Sequence, residues 1–569
     1  MIVPVPRDVD LGDRRVSTST PVTTAVDPSL PPQGYELELT AEVVTLRHAD
    51  DAGLRYGRST LDQEAEDGFW RVGRIRDWPD LPTRGFMLDI SRDRVPTREC
   101  LAALVGRLER LRINHLELYT EHTFAYADHE LVWRDASPMT ADDVRWLQAE
   151  CDAHGIELVA NQNSFGHFER WLRHEGYRHR AVDPSDPEPR SLAPTEDNAR
   201  FALDLVAELA ELHDSRLVNI GCDEVFELHG RRDEFVEHLG RLLDGTRALG
   251  RHPLFWADMI HGDPAGARDV VGDATALLWH YEAPMPEGVG GLLAAVDLPP
   301  PFDVLVQDWI DSGAAQGFGP RAERFAGAGI DWWVCPGVSG WNSLVGRFSN
   351  ARDNALDAVT CAADHGATGL LVTEWGDNGH LQPPLVMLPA LTYAASVAWC
   401  RTTNEDLDVA AALDGHVLPD SNGRAGAALL AAGDVYAQTG VIQPNGSALH
   451  DAVAGGAMGA FGAPTSEQLD AVVATLDEAD AGLAAARFAD ADGAVDQRGL
   501  RQAVALARHG AHRLARVHGL PAPDDEALAE DFRRVREEQA ATWREVSRPG
   551  GLDDSLAKLD AKAERDGLV

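Results

Sequence analysis

Apolar and polar positions change rhythm twice along the chain. Before about residue 80, apolar and acidic residues alternate in Tyr35-Glu36-Leu37-Glu38-Leu39, and Val43-Val44-Thr45-Leu46 forms an apolar run. A period of two is that of a half-buried strand, so a small strand-bearing domain is predicted over residues 1–80. From Arg84 onward, short apolar runs alternate with segments of helical spacing. Gly85 to Ile90 reads as a buried strand, and Leu101, Leu104, Val105, Leu108 and Leu111 recur on one helical face. His115 to Tyr119 and Ile156 to Ala160 are further strand candidates. Between them, Thr140 and Asp143 predict a capping box and Gly155 a helix end. A helix bearing Phe201, Leu205, Leu209 and Leu212 leads to the run starting at Leu217. Later candidates begin at Pro253, Ala276, Asp303, Trp332 and Gly369, so nine strands compete for a ring of eight. Such strand-helix alternation predicts a (β/α)8 TIM barrel over residues 81–404. After about residue 405 strand signals fade. A Thr465 to Gln468 capping box and apolar positions such as Leu469, Val472, Leu476, Phe532 and Trp543 predict an α-helical C-terminal region, 405–569, as a packing or dimerisation element.

Composition narrows the function. Acidic residues outnumber basic ones 92 to 51, for a net charge of −41, so nucleic acid is an unfavourable partner. The lysines are Lys558 and Lys562, which excludes Schiff-base chemistry in the barrel. Six cysteines lie scattered with no CxxC motif. The N-terminal residues show no h-region, and no apolar run approaches ~20 residues, so no membrane partner is expected. A reducing cytoplasm is expected from both features.

In a (β/α)8 barrel the C-terminal ends of all strands meet at one mouth. The predicted ends carry Glu121 and His122, Asn163 and His167, Asp223 and Glu224, Trp256 and Asp258, Trp279 and Tyr281, Trp341, and Trp375 with Asp377. Arg84 stands at a strand start and must reach to join them. Carboxylates, Arg and several Trp together are the equipment of a sugar site, although any single Trp is more often core than platform. Paired histidines typical of a metal-dependent barrel are absent, since the first strand reads LDISRD, and no metal or cofactor is expected. Asp223 and Glu224 are neighbours and would face opposite ways in an ideal strand. Even turned into one mouth, neighbours cannot easily flank a glycosidic bond as nucleophile and acid. One acid protonating the leaving oxygen while the other holds a nucleophilic part of the substrate suits them better.

The segments RGFMLDISRDRVP, ELYTEHTF, NQNSFGH, NIGCDEV, LFWADM and TEWGDNGH, in this order, resemble those of glycoside hydrolase family 20, the β-N-acetylhexosaminidases. The resemblance implies an exo-acting, retaining enzyme on small glycans, in which the substrate's 2-acetamido group attacks the anomeric carbon. By that resemblance Glu224 is the general acid/base and Asp223 orients the acetamido group. Arg84 binds ring hydroxyls. Glu121 and His167 form a polar network near the acid. Trp256, Trp279, Trp341 and Trp375 wall the acetamido pocket and the sugar. Asp377 contacts distal hydroxyls, and Tyr281 or Asp308 touches the acetamido group. Gly221-Cys222 stands where the family commonly has Gly-Gly, and Thr120-Glu121-His122-Thr123-Phe124 departs from its usual second-strand motif. Two other readings stay open: a glycosidase of the same fold for a sugar without an acetamido group, and a barrel that binds sugar without cutting it.

Overall fold

A computed structural model describes residues 1–92, 94–285, 307, 310–456 and 461–569. The N-terminal alternation folds into five strands: β1 (Asp8–Ser17), β2 (Val22–Val26), β3 (Tyr35–Leu39), β4 (Val44–His48) and β5 (Phe69–Asp77). Their spatial order is β1-β5-β3-β4-β2. Tyr35, Leu37 and Leu39 of β3 are buried, while Glu36 on the other face pairs with Arg47 and Arg74. The helix Asp51–Glu64 covers the apolar face, so closely that a Cβ on Gly57 would meet Leu46 and Tyr35.

Eight parallel strands then close into a barrel: β6 (Thr83–Asp89), β7 (His115–Thr120), β8 (Glu157–Gln162), β9 (Leu217–Asn219), β10 (His252–Trp256), β11 (Thr275–Trp279), β12 (Asp331–Cys335) and β13 (Gly369–Glu374). β13 closes the ring on β6 in the register Gly369↔Thr83 to Glu374↔Leu88. These strands are covered on both faces, so their sequences run apolar rather than alternating. Eight of the nine candidates make the ring; Asp303–Val306 lies outside the described residues. The helix Ala141–His154 starts on the Thr140–Asp143 capping box and ends at Gly155 with φ 68°.

The C-terminal region is helical. Ser466–Ala485, capped by Thr465 and Gln468, is followed by Gly493–Val517, Asp525–Val546 and Leu552–Arg565. These helices pack on the barrel through a buried Arg107–Asp496 pair at 2.6 Å. They also hold the loop after β13: Gln539 Nε2 donates to the Leu381 carbonyl (3.0 Å) and Ser555 Oγ to the Gly379 carbonyl (2.7 Å). Asp77 joins the N-terminal sheet to the barrel. Its carboxylate accepts from Arg112 Nη1 (2.6 Å), Tyr35 OH (2.9 Å) and Trp399 Nε1 (2.9 Å), all fully buried.

Candidate active site

Strand β9 stops at Asn219, four residues before the acid pair's first member. The chain then turns through left-handed backbone at Gly221 (φ 69°), Cys222 (φ 74°) and Glu224 (φ 51°). Positive φ at two non-glycine residues is uncommon and clusters at functional sites. Here it defeats strand alternation, so that both acids enter one pocket. Asn219 Oδ1 accepts from the Gly221 N–H (3.0 Å), while its Nδ2 donates to the buried Glu117 (2.9 Å) inside the barrel. Asn163 Oδ1 accepts from the Cys222 N–H (3.2 Å), and its Nδ2 donates to Asp223 Oδ1 (2.7 Å). The turn is therefore held from the barrel interior and from β8's end. Cys222 is buried against Ser164 and the Ile220 carbonyl, and burial raises its thiol pKa. It is fully buried and does not line the cavity.

One imidazole joins the two acids. His167 Nε2 lies 3.3 Å from Asp223 Oδ2 and 3.4 Å from Glu224 Oε2. Asp223 is sunk, with 7 % of its side chain exposed, whereas Glu224 is 32 % exposed to the cavity. Burial works against charge on His167, but Asp223, Glu224 and Glu169 outweigh it and hold the imidazolium well above its usual range. Burial likewise works against the Asp223 carboxylate, yet His167 and Asn163 keep its pKa below the ordinary value. Two neighbouring carboxyls go the other way. Asp258 accepts from the Glu224 N–H (2.9 Å) and Trp279 Nε1 (3.3 Å); burial, then Asp223 and Glu224, raise its pKa. Burial also raises Glu121, against the pull of Arg92 and His167. Environments that push carboxyls apart are how one site holds both a charged and a neutral acid near neutral pH. Among the described residues, no group of three or more His, Cys, Asp or Glu is arranged to hold a metal ion.

A cavity of about 580 Å³ opens above the acids, lined by Asp223, Glu224, Trp279, Tyr281, Trp375 and Asp377 among others. Trp279 and Tyr281 stack at 5.1 Å, and Trp375 Nε1 donates to Tyr281 OH (2.8 Å), giving a continuous aromatic wall. Trp256 and Trp341 do not line it. Both are 1 % exposed and back the wall, Trp256 against Trp375 and Trp341 against Tyr281. Glu121 and His167 sit beside the acids as expected of a polar network, while Asp308 lies outside the described residues.

Arg84 is corrected. It is fully buried at the barrel's far end, where Nη1 donates to the Leu81 carbonyl (2.8 Å) and Nη2 to Tyr56 OH (3.0 Å) of the N-terminal domain. Its position at the start of β6 leaves the whole strand between it and the mouth. Arg190, Arg232 and Arg321 also line the cavity, but the arginine of this strand segment that reaches the site is Arg92, beyond its C-terminal end. Its guanidinium contacts Asp89 (3.0 Å), Glu121 (3.2 Å) and Asp377 (3.4 Å) and lies 5.5 Å from the Tyr119 and Trp375 ring centres. The strand-end rule, applied to LDISRD, was the signal that could have found it. Asn342, Asn378 and, from the C-terminal region, Gln443 and Asn445 also line the cavity. They lie on loops that carry no periodic signal.

No family model matches the chain. Hexosaminidase D of Bos taurus is 24% identical over 212 residues, 33% of this chain and 60% of that protein. Beta-hexosaminidase A of Caenorhabditis briggsae is 23% identical over 176 residues, 29% of this chain and 32% of that protein. The chain thus spans less than two thirds of the length of these curated relatives. Among solved structures, the glycoside hydrolase family 20 β-N-acetylhexosaminidase of Streptomyces coelicolor A3(2) shares the fold with a TM-score of 0.53 at 17% identity, over 70% of this chain and 91% of that one.

Proposed function

We propose that this chain, which shares motifs and fold with glycoside hydrolase family 20, is a retaining exo-β-N-acetylhexosaminidase. It removes terminal β-linked N-acetylglucosamine or N-acetylgalactosamine from small glycans. The main support is the single imidazole nitrogen that touches both carboxylates. One imidazole bridging two sequence neighbours suits acids that work together on one substrate group better than a nucleophile and acid that flank the sugar ring. The attacking atom is then the substrate's own acetamido oxygen. Glu224, the more exposed acid, protonates the leaving oxygen and later takes a proton from water. Asp223, kept ionised by His167 and Asn163, accepts from the acetamido N–H and stabilises the positive charge that develops on it. The Trp279, Tyr281 and Trp375 wall encloses the acetamido group, and Arg92 with Asp377 faces ring hydroxyls. Six unpaired cysteines are compatible with a reducing compartment, and we place the enzyme in the cytoplasm.

The test is hydrolysis of paired aryl N-acetyl-glucosaminide and N-acetyl-galactosaminide substrates, with the product anomer followed by NMR. Retention is expected. Glu224→Gln is expected to lose about 10²–10⁴-fold in kcat on a substrate with a poor leaving group, the usual contribution of a general acid. Inversion, or full activity in that variant, would exclude the mechanism. Cleavage confined to aryl glycosides lacking the acetamido group would move the enzyme to another substrate class.

A further inference from the structure

The cavity is larger than the residues assigned to the terminal sugar require. A single pyranose does not fill about 580 Å³, a volume in the middle of the range for ligand pockets. Arg92, Asp223, Glu224, Tyr281, Trp375 and Asp377 account for only part of its lining. Another part comes from the C-terminal region, through Gln443 and Asn445.

This segment is stapled to the barrel. The Asn445 N–H donates to Glu282 Oε1 (2.7 Å), and Arg347, itself buried, grips the same carboxylate through Nη2 (2.7 Å) and Nη1 (3.2 Å). Trp341 Nε1 donates to Asn445 Oδ1 (2.8 Å), and the Ser447 N–H donates to the Asn342 carbonyl (2.9 Å). Asn445 holds φ 55°, a strained value that these contacts stabilise. Every polar group just named has a partner within the protein. Gln443 is 9 % exposed and lines the cavity, and among the described residues its Oε1 is buried without a hydrogen-bond partner. A buried acceptor left unsatisfied is costly, so such an atom on a cavity wall marks a place for a ligand's donor.

We propose that Gln443, carried by the C-terminal region, accepts a hydrogen bond from a hydroxyl of the leaving sugar and so makes the enzyme favour oligosaccharides over small aryl glycosides. The inference rests on the hydrolase reading above and deepens it, by naming a β-linked sugar rather than a compact aglycone as the group on the leaving side. Pre-positioning by Glu282, Trp341 and Asn342 means that little ordering is lost when the sugar binds.

Gln443→Leu keeps the volume and removes both polar atoms. Parent and variant are compared on two substrates with the same terminal sugar: the aryl N-acetylhexosaminide the parent cleaves fastest, and the corresponding disaccharide. The variant's kcat/KM on the disaccharide is expected to fall about tenfold, mostly through KM, the equivalent of one lost hydrogen bond. On the aryl substrate it is expected to stay within about twofold, which also certifies that the variant is folded. Gln443→Ala is read in the same way should the Leu variant fail to fold. Equal losses on both substrates, or no loss on the disaccharide, would overturn the assignment. A parent protein inactive on both substrates would remove the hydrolase reading and the inference together, an outcome distinct from an active parent with an unaffected variant.

Discussion

An arginine's place along its strand decides what its side chain can touch. Arg84 and Arg92 lie in one segment, RGFMLDISRD, and end at opposite ends of the barrel. Arg84 braces the N-terminal domain against the barrel floor through Tyr56 and the loop carbonyls. Arg92 lies in the mouth among Asp89, Glu121 and Asp377. Arg92→Ala is expected to lower kcat/KM by about 10²-fold, the scale of losing a charged contact to bound substrate, with a smaller effect on the melting temperature. Arg84→Ala is expected to do the reverse: a lower denaturation midpoint, by the breakage of a buried polar network, and kcat within about threefold of the parent. Steady-state kinetics and urea melts on the two variants check both. An equal loss of kcat/KM in both would show that Arg92 acts only through folding. The acid pair was legible because two carboxylates ended an apolar run. The choice of arginine needed the direction of the strand, which the motif alone does not carry.

At the scale of elements, the catalytic turn is held by close backbone contact. Gly166, one residue before His167, lies so near the Asp223 carbonyl that an added Cβ would run into it. Backbone cannot yield as a long side chain can, so Gly166→Ala is expected to shift Asp223 and lower kcat by tenfold or more, an estimate from the sensitivity of catalysis to misplacement by about 1 Å. The thermal midpoint should fall by only a few degrees, roughly what about 1 kcal/mol gives in a large domain. Unchanged kcat would show that the turn relaxes without consequence. The helices, their caps and the ring of strands were readable because each depends on periodicity over a few residues. Cys222 and Glu224 are different. Their left-handed φ values are held by Asn163 and Asp258, from the ends of the two neighbouring strands, which accept from the Cys222 and Glu224 N–H groups.

Over the whole molecule, buried polar contacts help to join the three parts. Asp77 ties Tyr35 of the N-terminal sheet to Arg112 and Trp399 of the barrel, with no exposure of either charge. Removing one member of such a pair strands the other. Asp77→Ala is therefore expected to destabilise by about 3–5 kcal/mol, read as a lower urea midpoint, while the surviving folded enzyme keeps its kcat. A shift below about 1 kcal/mol would mean that water reaches Arg112 and the junction is looser than its burial implies. The C-terminal helices pack on the barrel and brace the loop bearing Asp377, and the C-terminal region also presents Gln443 to the cavity.

By itself the chain determined the barrel, its flanking sheet and helices, the acid pair and most of the aromatic kit, because periodicity, capping and strand-end position are local properties of the sequence. Tertiary structure alone decided that Arg92 rather than Arg84 enters the mouth, which tryptophans face the cavity, and that a loop from beyond the barrel lines it. Those outcomes depend on chain direction, backbone turns and contacts between residues far apart in sequence, and no local pattern of apolar and polar positions records them.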